Sequence, residues 1–229
     1  VEINNRSQNI GGAGKTFNSQ GTIYDWVSNR QYDFVSQSTK SYTAFDHRRT
    51  ITFLKPDLWI VSDLISPEDE TQENDYKQIW HMLPNANLQT DADEKTIFSD
   101  YKSGANIILA SADQDVEVVE EMGWYDYSYH QVSEAKYAYF ARENVKGKTS
   151  YDTVLLPYRN VGGASIDVTR LDLGVPTTEA TAIRLNTVVD GSANTMYYLL
   201  DYEPDSSRTR TFGNYRTNGK LALVREDDQ

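Results

Sequence analysis

The chain has 229 residues, with 34 acidic and 22 basic side chains, a formal net charge of −12 and a pI near 4.7. An acidic surface repels polyanions, which argues against nucleic acid and anionic membrane surfaces as general partners. Cysteine is absent, which excludes disulfides and thiolate metal sites, and no segment reaches the apolar length that a membrane-spanning helix needs.

The amino-terminal segments are predicted to be short strands. Val1–Ile3 reads as an extended segment with apolar alternation, and two further strands are predicted at Thr22–Ser28 and Gln31–Ser36. A polar connection over Ser38–Asp46 follows them. These elements lead directly into the most regular part of the sequence.

Residues 47–65, HRRTITFLKPDLWIVSDLI, are predicted to form a hairpin. Two β-prone runs, Thr50–Leu54 and Leu58–Leu64, flank Lys55-Pro56-Asp57, where proline fixes φ and favours a turn. The second run is apolar on both faces for most of its length. It is therefore expected to be a central strand that is covered on both sides.

Short β-prone runs continue beyond the hairpin, separated by turn residues at spacings of about ten residues. This pattern predicts an all-β fold, an antiparallel β-sandwich of many short strands, and no stretch shows a sustained helical period. Glu121–Lys136 departs from the pattern because it is too polar for a core and rich in aromatic residues. We expect a surface loop whose rings either contact a sugar or fold back over an apolar edge of the sheet.

The carboxyl-terminal part, after Gly162-Gly163, carries a second series of β-prone segments. Asp190-Gly191 and Asn218-Gly219 are typical of hairpin turns that need positive φ. No composition break marks a linker, so residues 1–229 are predicted to be one domain. A subdivision near residue 160 with a smaller terminal sheet is the alternative.

Five segments of the sequence, in one order, resemble the C-terminal β domain of the heparinase II/III family of polysaccharide lyases. They are Trp26 with Tyr32–Val35 and Tyr42, then His47–Asp63, Gln78–Pro84, Gly123–Tyr129 and Thr153–Pro157. The resemblance covers roughly residues 1–160. Five segments in one order are more specific than any one of them. The resemblance implies a β-sandwich that contributes one wall of a substrate cleft.

The chemistry implied by the resemblance is β-elimination on uronic-acid-containing glycans such as heparin or heparan sulfate. One residue neutralises the sugar carboxylate, a base removes the proton at C5, and an acid protonates the leaving oxygen. The family carries most of these groups on a helical toroid that precedes the β domain, and no toroid is recognisable in this sequence. We therefore expect the chain alone to be inactive, and we name no catalytic residue.

The implied partners are an acidic polysaccharide and the N-terminal helical toroid domain of the same protein, without nucleic acid or membrane. The implied localisation is periplasmic or secreted. The alternative function, from a different class, is a stand-alone carbohydrate-binding or structural β module. Five ring-bearing side chains are expected nearest the sugar: Trp124, Tyr125, Tyr129, His130 and His81.

A divalent metal, zinc or calcium, is also implied by the resemblance. His47 falls at a suitable distance from the start of the chain, and Asp25 or Asp33 would be the matching aspartate. The family's upstream ligand has no counterpart in this sequence. A structural role is the alternative for a lone histidine.

Arginines offer one further alternative, a local basic patch that would attract a polyanion despite the net negative charge. The candidates are Arg48, Arg49, Arg208, Arg210 and Arg216. The competing interpretation is that these arginines pair with the abundant carboxylates on strand faces.

Overall fold

A computed structural model describes residues 1–6, 21–42, 44–102, 104–128, 131–159 and 163–226. Within these ranges the secondary structure is entirely β, and no helix able to cross a membrane occurs. The strands are β1 (Glu2–Ile3), β2 (Gly21–Ser28), β3 (Tyr32–Thr39), β4 (Phe45–Leu54), β5 (Leu58–Pro67), β6 (Glu73–His81), β7 (Leu88–Asp91), β8 (Thr96–Ser99), β9 (Asn106–Ser111), β10 (Glu117–Ser128), β11 (Gln131–Lys146), β12 (Thr149–Tyr158), β13 (Ala164–Arg170), β14 (Ala180–Val189), β15 (Ser192–Asp201), β16 (Arg210–Phe212), β17 (Tyr215–Thr217) and β18 (Leu221–Glu226). The predicted all-β fold is confirmed.

The fold divides into two compact units, Val1–Pro157 and Tyr158–Gln229. The larger unit contains the hairpin and most of the segments that carry the family resemblance. The smaller unit contains β13 to β18. Folding of residues 1–229 as one domain stays a prediction.

The larger unit is built on an eight-stranded sheet, the large sheet, with strand order β2-β3-β4-β5-β12-β9-β8-β7. The predicted hairpin lies at its centre, with β4 and β5 paired antiparallel from Phe45 opposite Pro67 to Leu54 opposite Leu58. On its other side β5 pairs with β12. Ile60 and Ile65 point to opposite faces of β5 and are both fully buried, which confirms a central strand covered on both sides.

A four-stranded sheet, the cover sheet, has the order β1-β6-β11-β10 and packs on the large sheet. Phe140 and Ala138 of β11 meet Ile65 and Ile97 of the large sheet in one hydrophobic core. Burying a side chain such as Phe140 stabilises the fold by roughly 1.5–3 kcal/mol. The core therefore holds the two sheets together as a sandwich.

The hairpin β10–β11 extends beyond the cover sheet. The two strands pair along Glu117–Ser128, so the prediction of a surface loop over Glu121–Lys136 is wrong. β6 ends at His81, opposite Tyr137 of β11. In the described part of the chain, residues 131–136 pair with β10 alone and form a two-stranded ribbon. Polarity misled the prediction because both faces of a projecting ribbon can carry polar side chains.

The smaller unit holds a four-stranded sheet, the terminal sheet, in the order β13-β14-β15-β18, and a two-stranded hairpin, β16–β17. The terminal sheet that the sequence left as an alternative is therefore present. Asp190-Gly191 joins β14 to β15 with φ of 50° and 81°, as predicted. Asn218-Gly219 lies between β17 and β18, which do not pair, and the predicted hairpin turn there is wrong.

Candidate functional site

A buried polar cluster joins the two sheets of the sandwich at Asp63. Its fully buried carboxylate accepts hydrogen bonds from Nε and Nη2 of Arg49, both at 2.7 Å. Nε2 of Gln78, on the cover sheet, donates to the same carboxylate at 2.8 Å. His47 Nε2 lies 2.7 Å from Asp63 Oδ1. The cluster therefore crosses the interior from one sheet to the other.

The ionised state of Asp63 is maintained by these neighbours. Burial by itself would raise the pKa of Asp63, but hydrogen bonds and positive charge from Arg49, together with His47, hold that pKa well below its usual range. Thr153 Oγ1 completes the network by donating to Oε1 of Gln78 at 2.6 Å. A carboxylate bound this tightly is a structural connection between the sheets and a poor proton acceptor.

The structure does not bring His47 together with either candidate aspartate, since Asp33 lies opposite Phe53, six residues along β4 from His47. The side chains of His47 and Asp63 lie on one face of the large sheet. Asp25 lies opposite Ser36, which lies opposite Thr50, and the side chains of this row lie on the other face. No group of three or more acidic or imidazole side chains suited to a metal ion occurs among the residues that the structure describes. Divalent-metal binding stays a prediction that needs ligands from outside those residues.

His81 belongs to an aromatic and acidic group on the outer face of the cover sheet. Its ring stacks on Tyr137 with centroids 5.1 Å apart and an interplanar angle of 21°. The hydroxyls of Tyr137 and Tyr139 both donate hydrogen bonds to Glu121, the second at 2.6 Å. The Glu121 carboxylate raises the pKa of Tyr137 to about 12, so this phenol stays protonated near neutral pH.

Gly123 allows the Tyr137 ring to lie against the ribbon backbone. A Cβ at position 123 would lie 2.8 Å from Cδ1 of Tyr137, closer than side chains approach each other. Any larger residue would therefore displace the ring. Tyr125, two residues along β10, points to the same outer face as Gly123.

Trp124 points to the other face of the ribbon, away from Tyr125 and His81. Its side chain is 69% exposed, and it shares this face with the exposed residues Met122 and Val132. The predicted sugar contacts are thus divided between two surfaces. Tyr129 and His130, the remaining two, lie outside the described residues.

The large sheet carries an open apolar face whose residues sequence reasoning did not identify. Trp26, Val35, Ile51 and Val61 form one cross-strand row on the face that also carries Asp63. Exposure falls along the row from 72% at Trp26 to 5% at Val61, with the two central residues half-buried. In the described part of the chain the cover sheet therefore shields the centre of the large sheet and leaves the β2 side open. Strand periodicity gives the direction of Trp26 but not the width of the opposing sheet.

Three of the candidate patch arginines are engaged in ion pairs. Arg49 binds Asp63, as described above, and Nη1 of Arg208 lies 2.8 Å from Glu179. Nε of Arg210 lies 2.8 Å from Asp201. For these three the carboxylate-pairing interpretation is confirmed.

Comparison with known proteins agrees with the sequence resemblance. Residues 3–169 match the family described as "Heparinase II/III-like, C-terminal". A heparin-sulfate lyase of Pedobacter heparinus is 23% identical to the chain over 137 residues, which are 58% of this chain and 20% of that protein.

Solved structures of larger proteins contain the same fold. Heparan sulfate lyase HepC from Pedobacter heparinus superposes with a TM-score of 0.68 at 19% identity, over 81% of this chain and 28% of that one. Heparinase III gives a TM-score of 0.60 at 16% identity, over 79% of this chain and 27% of that one. The chain thus spans less than a third of the length of these relatives. With most of its residues matched, the chain belongs to the heparinase II/III-like C-terminal family.

Proposed function

We propose that the chain is the β-sandwich part of a polysaccharide lyase that cleaves an acidic, uronic-acid-containing glycan such as heparan sulfate by β-elimination. The family match over residues 3–169 is the observation that carries this proposal. The chain covers 28% of the heparan sulfate lyase whose fold it shares, so a whole enzyme of that size needs further segments. A glycan of this class is met outside the cytoplasm, which favours a periplasmic or secreted protein.

The proton-transfer groups of the reaction are assigned to a preceding helical toroid domain. β-Elimination removes the C5 proton, forms the C4–C5 double bond and breaks the bond from C4 to the leaving oxygen, which takes up a proton. Among the described residues, Asp63 is held ionised by Arg49, and the pKa of Tyr137 is raised to about 12. Neither group suits a base that works near neutral pH. We therefore assign no proton transfer to Asp63 or Tyr137, and we assign binding and positioning to the described part of the chain.

The open apolar face of the large sheet is the surface that we assign to contact with the toroid domain. Ile23 and Trp26 are 62% and 72% exposed on an edge strand, and exposed apolar side chains that share one face are typical of a contact surface. Docking of the toroid there would bury this surface. The part of the β-sandwich next to the docked toroid would then form one wall of the substrate cleft.

Reconstitution tests this assignment. We expect no absorbance rise in the unsaturated-uronate band when the chain alone is incubated with heparan sulfate, alginate or hyaluronan. A separately expressed upstream segment of the same gene should produce the rise only when it is mixed with the chain. A rise with the chain alone would contradict the assignment of the chemistry to the toroid. No rise in the mixture, with a stable complex formed, would contradict the lyase proposal.

Trp124→Ala is expected to weaken glycan binding by the intact chain by roughly 5- to 30-fold, because an exposed indole offers an apolar face to a sugar ring. Affinity electrophoresis in gels that contain the glycan measures the effect. Trp26→Ala is the matched control, since Trp26 is equally exposed and is assigned to domain contact. Equal retardation of Trp124→Ala and the unchanged chain would remove Trp124 from the binding surface.

The exposure of Trp124 also favours a second candidate function, a stand-alone carbohydrate-binding module. The two functions differ in the reconstitution experiment. A binding module would retain Trp124-dependent glycan affinity while no mixture with the upstream segment cleaves any of the glycans. A lyase domain would show cleavage in the mixture.

A further inference from the structure

Arg184, in the smaller unit, has no ion-pair partner in the described part of the chain. The residue is half-buried on β14, and its Nε is shielded from solvent without a hydrogen-bond acceptor. Over the ranges that the structure describes, no side chain or carbonyl forms an ion pair or hydrogen bond with the Arg184 guanidinium. Buried donors in folded proteins almost always have a partner, so this orphaned group calls for a ligand.

A shortage of acidic partners does not explain the orphaned group. The chain has 34 acidic and 22 basic residues. In the same unit, Arg208 and Arg210 both reach Glu179 and Asp201. Nε of Arg208 also has no acceptor, but the terminal nitrogens of Arg208 reach these carboxylates, whereas among the described residues no acceptor binds any guanidinium nitrogen of Arg184.

The immediate neighbours of Arg184 supply an aromatic ring and a hydroxyl. Arg184 lies opposite Thr169 of β13 and Tyr197 of β15, and all three side chains share one face of the terminal sheet. Tyr197 is fixed in place because its Cε1 would lie 2.7 Å from a Cβ on Gly213, and because it contacts Tyr215 edge-on at 5.1 Å. The cross-strand neighbours of Arg184 are therefore a hydroxyl and an aromatic ring, and that ring packs closely against Gly213 and Tyr215.

The next row on the same face is polar. Asn186 donates from Nδ2 to Asp167 Oδ2 at 2.9 Å, and Thr195 donates from Oγ1 to Asn186 Oδ1 at 3.1 Å. Each of these groups keeps further capacity to donate or accept hydrogen bonds. A charged fork, an aromatic ring and a row of hydroxyl, amide and carboxylate groups are the features that recognise an acidic sugar.

We propose that this surface, the Arg184 face, binds the anionic group of an acidic sugar, a carboxylate or a sulfate, while the polar row contacts the sugar hydroxyls. The proposal rests on the proposed function for the choice of an acidic glycan. It adds a contact centred on Arg184, which lies beyond the family match ending at residue 169, whereas Asp167 and Thr169 of the same face lie inside that match.

The first experiment follows the Nε–Hε resonance of Arg184 by NMR in the intact chain. The resonance is assigned as the one that is missing from the spectrum of Arg184→Gln. We expect a saturable shift on titration with glucuronate or sodium sulfate and none with glucose. A shift with either anion or with both supports the site, and a shift with only one of them identifies the anionic group. No shift with either anion overturns the proposal, whatever the lyase assay shows.

The second experiment measures retardation of the chain by heparan sulfate. Arg184→Gln should weaken binding about tenfold, as expected for loss of a charge-assisted contact. Arg225→Gln removes the same charge from an exposed position on β18, on the opposite face of the terminal sheet, and should leave retardation unchanged. Equal effects of the two substitutions would overturn the proposal, because they would show that only the net charge of the chain determines binding. If the Arg184 resonance shifts with an anion but the reconstituted mixture cleaves no glycan, the proposed function is contradicted and the Arg184 site is not.

Discussion

Asp63→Asn is expected to lower the free energy of unfolding of the larger unit by about 3–5 kcal/mol, the usual cost of breaking a buried ion pair. The substitution removes the negative charge that Arg49 and His47 share. It also replaces one acceptor oxygen with an amide that faces donors. Urea denaturation followed by tryptophan fluorescence measures the change.

Asp93→Asn is the matched control, because Asp93 is exposed and its loss should change stability by no more than about 0.5 kcal/mol. A similar small effect of Asp63→Asn would contradict the structural role of the cluster. The dependence of stability on acid pH gives an independent readout.

The pKa of Asp63 is lowered in the folded state, so Asp63 stabilises the larger unit above the ordinary aspartate value of 3.8, and this stabilisation is lost as the pH falls below that value. In Asp63→Asn the free energy of unfolding should therefore fall less steeply as the pH is lowered.

Arg210→Met is expected to destabilise the smaller unit by about 3 kcal/mol, at the lower end of the range for a broken buried pair. Arg210 and Asp201 are both buried, and their contact between Nε and Oδ2 is 2.8 Å. Methionine keeps most of the packing volume but leaves the Asp201 carboxylate with one cationic partner, Arg208 at 3.4 Å, and one backbone donor, the N–H of Glu203 at 3.1 Å. Thermal unfolding followed by near-ultraviolet circular dichroism reports the loss.

Arg216→Met provides the comparison for Arg210→Met, since it removes an exposed arginine from the same hairpin. Its effect should stay within about 0.5 kcal/mol. If both substitutions destabilise the unit equally, the loss would reflect hairpin packing and not the ion pair.

The central hairpin was predictable from sequence because local chemistry decides it. Proline at position 56 and the β-prone runs on either side specify a turn between two strands, and no distant residue is needed. The apolar character of both faces of Leu58–Leu64 likewise required a central position. The all-β class followed from repeated short runs of this kind.

The candidate site was less predictable because it depends on register and on which sheet covers which. Trp124 and Tyr125 are neighbours in sequence, and strand alternation sends them to opposite faces once the segment is known to be a strand. The burial of Asp63 depends on Gln78 reaching it from the other sheet, which no local pattern encodes. The orphaned Arg184 could be recognised only after the partners of the other arginines were known.

The ribbon at the end of β10–β11 has a mechanical consequence. A two-stranded hairpin without a third strand is at best marginally stable in water. Residues 131–136 therefore depend on the part of β11 that is paired with β6 from Tyr137 onward. Local opening of the ribbon costs much less free energy than unfolding of the sandwich. Trp124 thus lies on a segment that we expect to open locally while the buried core remains intact.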